Sequence, residues 1–142
     1  AQIFAWIVTT ERIAAVVYDL VIHFVNSKWA VLMLVNIVLL AIGCLIEGIA
    51  AIMITVPVLL PVMQKFGVDQ THFGVFLCIN ILIGLLTPPM GMAVYIASDL
   101  AQVPVMEGFR KSATFLVPLV APLLLVSYIP ELTLFIPNLL FK

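Results

Sequence analysis

Charge is scarce in this sequence. Asp, Glu, Lys and Arg together supply 9% of the 142 residues, against about 25% in a soluble globular domain, so there is too little charge to coat a water-facing surface. The Lys and Arg residues stand scattered at segment ends and the net charge is −1, which excludes a basic nucleic-acid surface. Cysteine is as sparse. Cys44 and Cys78 sit inside apolar runs without CxxC spacing and read as small core residues. No HExxH and no GxSxG occurs, and Glu47 is the only acid deep within a long apolar run, so an intramembrane enzyme has no signature here. The opening apolar run has neither a Met nor a basic n-region, so it is not read as a signal peptide. The chain is expected to be a piece of a longer protein.

What is present is apolar. Hydrophobic residues reach 65% and mean hydropathy is +1.31. Asp69 to Asp99 encloses a stretch free of charge, and Lys28–Glu47, Glu47–Lys65 and Lys111–Glu131 enclose three more, each near the roughly 17–25 residues of a membrane-spanning helix. The expected fold class is an all-α integral membrane protein in contact with membrane lipid.

Four segments follow from the pattern. Over residues 10–26, Arg12, Asp19, His23 and Asn26 recur at helical spacing as one narrow polar stripe, which suits a helix lying at the interface or against other helices. Lys28 to Lys65 is too long for one crossing and must turn near Glu47 and Gly48. Length alone leaves open whether that turn surfaces or stops inside as a re-entrant hairpin. The span from His72 to Gln102 is interrupted at Thr87-Pro88-Pro89, because proline donates no N–H and pushes the preceding residue out of helical angles. Pro104–Lys111 reads as a loop and Ser112–Ile129 as the last span. Arg110 and Lys111 place that loop in the cytoplasm by the positive-inside rule, with the chain's end outside.

Broken helices at membrane depth can hold ions with unwound carbonyls and face anions with helix N-termini. Pro88 and Pro89 release the carbonyls of Gly84 and Leu85 from helical bonding, Thr87 adds a hydroxyl, and Asn80, Gly84 and Thr87 share one helix face. These uncharged oxygens would suit a monovalent cation such as sodium. The bland alternative is a kink whose carbonyls find other partners. Glu47 faces a cavity if its turn is buried, and is a solvated loop residue if the turn surfaces.

Taken in order, Glu47-Gly48-Ile49-Ala50-Ala51 with Pro57 and Pro61, Gly67-Val68-Asp69 with His72-Phe73-Gly74, then Gly84, Thr87-Pro88-Pro89, Gly91 and Ala97-Ser98 resemble the C-terminal part, the second inverted repeat, of the large membrane subunit of TRAP (tripartite ATP-independent periplasmic) transporters. The resemblance implies an arm helix over 10–26, a re-entrant hairpin over 28–65, a discontinuous span over 72–102 and a terminal span over 112–129. It implies sodium-coupled import of an organic anion, dicarboxylate or sialic acid, received from a periplasmic binding protein. It further implies a small TRAP membrane subunit as partner, a multi-pass location in the bacterial inner membrane, no cofactor beyond the coupling ion, and no enzymatic activity. On this reading Gly48, Ile49, Ala50, Gly84, Leu85 and Thr87 form a sodium site, and Glu47, Asn80, Pro88, Pro89 and Gly91 face substrate. With the first repeat missing, this segment alone should not transport. The competing function is a non-transporting membrane scaffold or assembly subunit.

Overall fold

The computed structural model describes residues 27–140 continuously and, before them, Val16, Asp19, Val21, His23 and Val25. The arm expected over residues 10–26 therefore lies largely outside the described residues. Every regular element among those described is an α-helix: α1 (Lys28–Leu45), α2 (Gly48–Lys65), α3 (Gln70–Gly84), α4 (Met92–Leu100), α5 (Val105–Tyr128) and α6 (Pro130–Leu140). Three of them, α1, α2 and α5, are long and apolar enough to cross a membrane.

The ends of these helices follow from local chemistry. At the end of α1, Ile46 is extended (φ −124°, ψ 145°) and Glu47 begins α2 as its N-cap. One carboxylate oxygen of Glu47 accepts from the Ile49 N–H and the other from the Ala50 N–H, both at 3.1 Å, satisfying two of the donors that open a helix. α2 continues through Pro57 and Pro61. It closes at Gly67, whose φ of +72° suits a residue without a Cβ, while the Val68 N–H reaches back to the Met63 carbonyl at 3.0 Å. Asp69 then caps α3, its Oδ1 accepting from Thr71 and His72.

α3 is the central element. It packs most extensively on α1 and also touches α2, α5 and α6, whereas α1 and α2 touch each other far less. The arms joined at Glu47 are therefore splayed. Val31, Leu32, Val35 and Leu39 of α1 form one stripe that closes on Phe73, Phe76, Leu77 and Ile81 of α3, with Ala51, Leu59 and Met63 added from α2. Outside this core large apolar side chains face outward, among them Phe115, Val117 and Leu125 on α5, as hydrocarbon or neighbouring protein permits and water does not.

α3 stops at Gly84 in tight turns, with Leu86 N–H to Ile83 and Thr87 N–H to Gly84 carbonyls. After Pro88 and Pro89 the chain re-enters a helix at α4. α5 runs back along both pieces: Gly108 meets Ser98 and Val94, Phe109 meets Gly91 and Tyr95, and at its far end Ser127 meets His72. At that same end Tyr128 stacks on Trp29, 5.5 Å between ring centroids.

One boundary differs from the sequence reading. Pro104–Lys111 is not a loop, because α5 already begins at Val105 and carries Glu107, Arg110 and Lys111 on its first turns. Pro104 stands at the N-cap, where its missing N–H costs nothing, and Glu107 in the first turn complements the positive end of the helix dipole. The link between α4 and α5 shrinks to residues 101–104.

Candidate functional site

The two helix breaks meet. A Cβ built on Gly84, at the end of α3, would lie 2.5 Å from the carbonyl carbon of Gly43 near the end of α1, so only glycine lets these helix ends approach so closely. Cys44 bridges the rest of the gap. Its thiol lies 2.8 Å from the Pro88 carbonyl oxygen and 3.2 Å from that of Thr87, a weak donor shared between two acceptors of the α3–α4 break.

Two hollows open at this junction. The smaller, about 250 Å³, lies between the end of α1 and the residues after α3, lined by Gly43, Cys44, Leu45, Glu47, Leu85 and Met90 among others. The larger, about 550 Å³, lies between α2, α3 and α4 and is almost wholly apolar, with Glu47 and Gly48 at one side and Met92 and Ala93 at another. The N-termini of α2 and α4 thus border the same space. That of α2 is capped by Glu47; that of α4 starts at Gly91 (φ +40°) with no side-chain cap. The last carbonyls of a helix have no partner within it, and among the described residues no protein donor reaches those of Gly43, Cys44 and Leu45.

The expected site residues divide. Gly48, Ile49 and Ala50 form the first turn of α2, with the Ile49 and Ala50 N–H groups turned to Glu47 and their carbonyls inside the helix ladder. The unpaired oxygens lie one turn earlier, at Gly43–Leu45. The Gly84 and Leu85 carbonyls are not free either: Thr87 N–H bonds the first at 2.9 Å and Ala93 N–H, from the start of α4, the second at 3.3 Å. Pro88 and Pro89 remove the helical donors, but the turn and the restarting helix supply others. The Thr87 hydroxyl donates to the Ile83 carbonyl at 2.9 Å, which leaves its oxygen able to accept. Glu47, Pro88 and Pro89 are exposed at the junction.

Neither Asn80 nor Gly91 lines the two hollows described above. Gly91 is buried beneath Phe109, whose ring would meet an added Cβ. Asn80 points to the interior, where its Nδ2 donates to Asn36 Oδ1 at 2.6 Å and to the Phe76 carbonyl at 2.8 Å. Ser127 Oγ donates to the same Asn36 oxygen at 3.1 Å, joining α1, α3 and α5 through one acceptor. An amide inside apolar packing must find polar partners, and here they lie on neighbouring helices.

Sequence reasoning missed Cys44, Asn36 and Ser127. For the last two a signal was present, since Asn36 and Ser127 are lone polar residues within otherwise apolar spans. For Cys44 there was none, because its role depends on which carbonyls the fold brings to it.

Residues 1–132 match the family model described as the DctM component of tripartite ATP-independent periplasmic transporters. The chain is 39% identical over 137 residues to the sialic acid TRAP transporter large permease protein of Vibrio cholerae, covering 96% of this chain and 32% of that protein. It is 36% identical over 138 residues to the C4-dicarboxylate TRAP transporter large permease protein of Pseudomonas aeruginosa (97% and 32%). Against the isethionate TRAP transporter permease protein of Oleidesulfovibrio alaskensis it is 34% identical over 135 residues (95% and 21%). The chain spans a third or less of the length of these relatives, all named as permeases and none as an enzyme. With its broken apolar helices and this match along nearly its whole length, the chain belongs to the DctM family of TRAP transporter membrane permeases.

Proposed function

We propose that this chain is the C-terminal inverted repeat of the large permease of a sodium-coupled importer for an organic anion, in the bacterial inner membrane. The observation that carries this reading is the meeting of the two helix breaks, where orphan carbonyls of α1 and the helix N-termini of α2 and α4 border adjoining hollows. Carbonyl and hydroxyl oxygens without fixed charge suit a small monovalent cation, and helix N-termini favour an anion. Sodium is held by the Gly43–Leu45 carbonyls and Thr87 Oγ1, and the anion lies in the larger hollow on the side of the α4 N-terminus. The names of the relatives suggest a carboxylate or sulfonate substrate.

Lengths support a re-entrant hairpin. The Glu47 turn lies level with the end of α3, and α4 carries the chain on by nine residues, about 13 Å at helical rise, toward the face from which α5 returns. A small membrane subunit and a periplasmic binding protein complete the transporter on this reading.

The test is sodium-dependent uptake by the full-length permease with its partners in proteoliposomes. Thr87→Val keeps the shape and removes a ligand, so the sodium concentration for half-maximal uptake should rise about tenfold, the equivalent of one lost polar partner. Unchanged sodium dependence in Thr87→Val, at normal insertion and assembly, would remove Thr87 from the site, and no sodium-dependent uptake by the complete wild-type transporter would favour a scaffold instead of a carrier.

A further inference from the structure

The start of α5 carries positive charge that the described residues do not answer. Its N-cap, Pro104, makes no side-chain hydrogen bond, and among the described residues no protein acceptor meets the Val105 or Met106 N–H. Arg110 and Lys111 follow within two turns, both exposed. Whereas Lys28 donates to the Gly67 carbonyl at 3.0 Å, neither Arg110 nor Lys111 has a hydrogen-bond or ion-pair partner among the described residues. A hollow of about 590 Å³ at this end of the helix is lined by Met106, Glu107, Arg110, Lys111 and Thr114. Helical side chains lean toward the N-terminus, so both cations reach back over the first turn, where unpaired N–H groups form the positive end of the helix dipole. Glu107 is the one carboxylate lining the hollow, and it offsets one cation of the two.

Further along, the same face turns apolar. Glu107, Lys111, Thr114, Pro118, Ala121 and Leu125 recur at spacings of four and three, which places them on one stripe of the helix, and all are exposed. The first three are polar and the last three apolar, with Val117 beside them 77% exposed. From Thr114 to Leu125 the helix rises about 16 Å, close to the roughly 15 Å of one hydrocarbon leaflet. A protein helix packed on the stripe would cover its apolar part and would have to bring an acid for the cations. A molecule with an anionic head and an apolar tail of this length answers both parts at once.

We propose that the first turns of α5 bind the phosphodiester headgroup of an anionic phospholipid whose acyl chain lies along Pro118, Ala121 and Leu125. The phosphate oxygens accept from the Arg110 guanidinium and the Lys111 ammonium, and the Thr114 hydroxyl stands one turn further in, at the level of the glycerol. A basic residue near an anionic membrane surface strengthens association about fivefold. With Glu107 offsetting one of the two, a net preference of about fivefold over a zwitterionic lipid is expected. The lipid pins the start of α5, and with it the short link from α4, at the membrane surface. This inference needs only that the chain lies in a membrane, and no particular ion or substrate.

The test uses the full-length permease in liposomes. A bimane fluorophore on Val117→Cys, with the exposed Cys78 replaced by serine, is quenched on contact by lipids with brominated acyl chains. Brominated phosphatidylglycerol, as a minor component in phosphatidylcholine, should quench the label about fivefold more effectively than brominated phosphatidylcholine at the same share. Arg110→Gln combined with Lys111→Gln should abolish the preference. Glu107→Gln should raise it about fivefold, a gain that damage to the fold would not produce. Glycerol 3-phosphate at millimolar concentration should leave the quenching unchanged. Equal quenching by the two lipids in the otherwise wild-type protein, a preference surviving in the double variant, or no gain in Glu107→Gln would overturn the proposal. So would displacement by glycerol 3-phosphate, which would assign the hollow to a soluble anion, and a label that neither lipid reaches, which would mean that protein covers this face.

Discussion

The backbones of Gly43 and Gly84 are in contact, so that a Cβ on Gly84 would lie 2.5 Å from the Gly43 carbonyl carbon and one on Gly43 would lie 2.9 Å from the Cα of Ile81. The atoms in the way are backbone, which cannot turn aside as the tip of a flexible side chain can. The end of α1 and the end of α3 are held together at this contact, and with them the two helix breaks.

Gly84→Ala should therefore push the breaks apart. Overpacking costs about 1–3 kcal/mol, and the upper part of that range is expected here. Gly74→Ala, on the same helix with nothing within 4 Å of an added Cβ, should be neutral or slightly stabilising, because alanine is the better helix former. Thermal midpoints of the two variants in the purified full-length permease compare them directly. Equal midpoints would contradict the close approach.

Asn36 accepts from both Asn80 and Ser127, so its loss leaves two buried donors unpaired. Interhelical hydrogen bonds in membrane proteins are worth about 0.6 kcal/mol each on average and up to about 1.7. Asn36→Leu should thus destabilise more than Asn80→Leu, which also removes Asn80 Oδ1, a buried oxygen without a partner. Unfolding by detergent titration gives the order. The reverse order would refute Asn36 as the shared acceptor.

Glu47 caps its own helix. Replacing a good N-cap by alanine costs about 0.5–2 kcal/mol, and the effect should be local: in Glu47→Ala the amide hydrogens of Ile49 and Ala50 should exchange faster, while those in the middle of α2 stay protected. Glu47→Asp, an inherently strong cap, should keep protection near that of the wild type. Hydrogen exchange read by mass spectrometry over the first turn of α2 decides it, and unchanged exchange in Glu47→Ala would show that the carboxylate does not hold those donors.

The re-entrant reading fixes sidedness. Cysteines placed at Lys28 and Lys65 should react with a membrane-impermeant thiol reagent from one face, and a cysteine at Gln102 from the other. At the tip, Ile49→Cys should react in the substrate-free transporter and be shielded when substrate binds. Labelling at position 49 from the face that exposes Gln102, in every state and indifferent to substrate, would mean that α1 and α2 cross the membrane completely.

Much of this was legible before folding, and the residues show why. Pro88 and Pro89 lack N–H groups wherever they stand, so a break near Thr87 could be read from the chain. Glu47 interrupts a run too long for one helix, so a turn there could be read as well. Pro104–Lys111 was misread because charge in an apolar chain suggests a loop, whereas Glu107, Arg110 and Lys111 can all sit on the outer turns of a helix end.

The sequence by itself determined that the chain is helical, that it belongs among lipids, and where its helices stop, because these depend on backbone donors, residue charge and the length of apolar runs, which are properties of neighbours along the chain. Only the tertiary structure decided that the two stops lie side by side, that Cys44 reaches the Thr87 and Pro88 carbonyls, that Asn80 turns inward to Asn36, and that His72 meets the Ser127 carbonyl and the Thr133 hydroxyl. Those relations join residues some 41 to 61 positions apart. They are set by the rotation of each helix about its axis and by the close approach that glycine permits, and neither is written in local spacing.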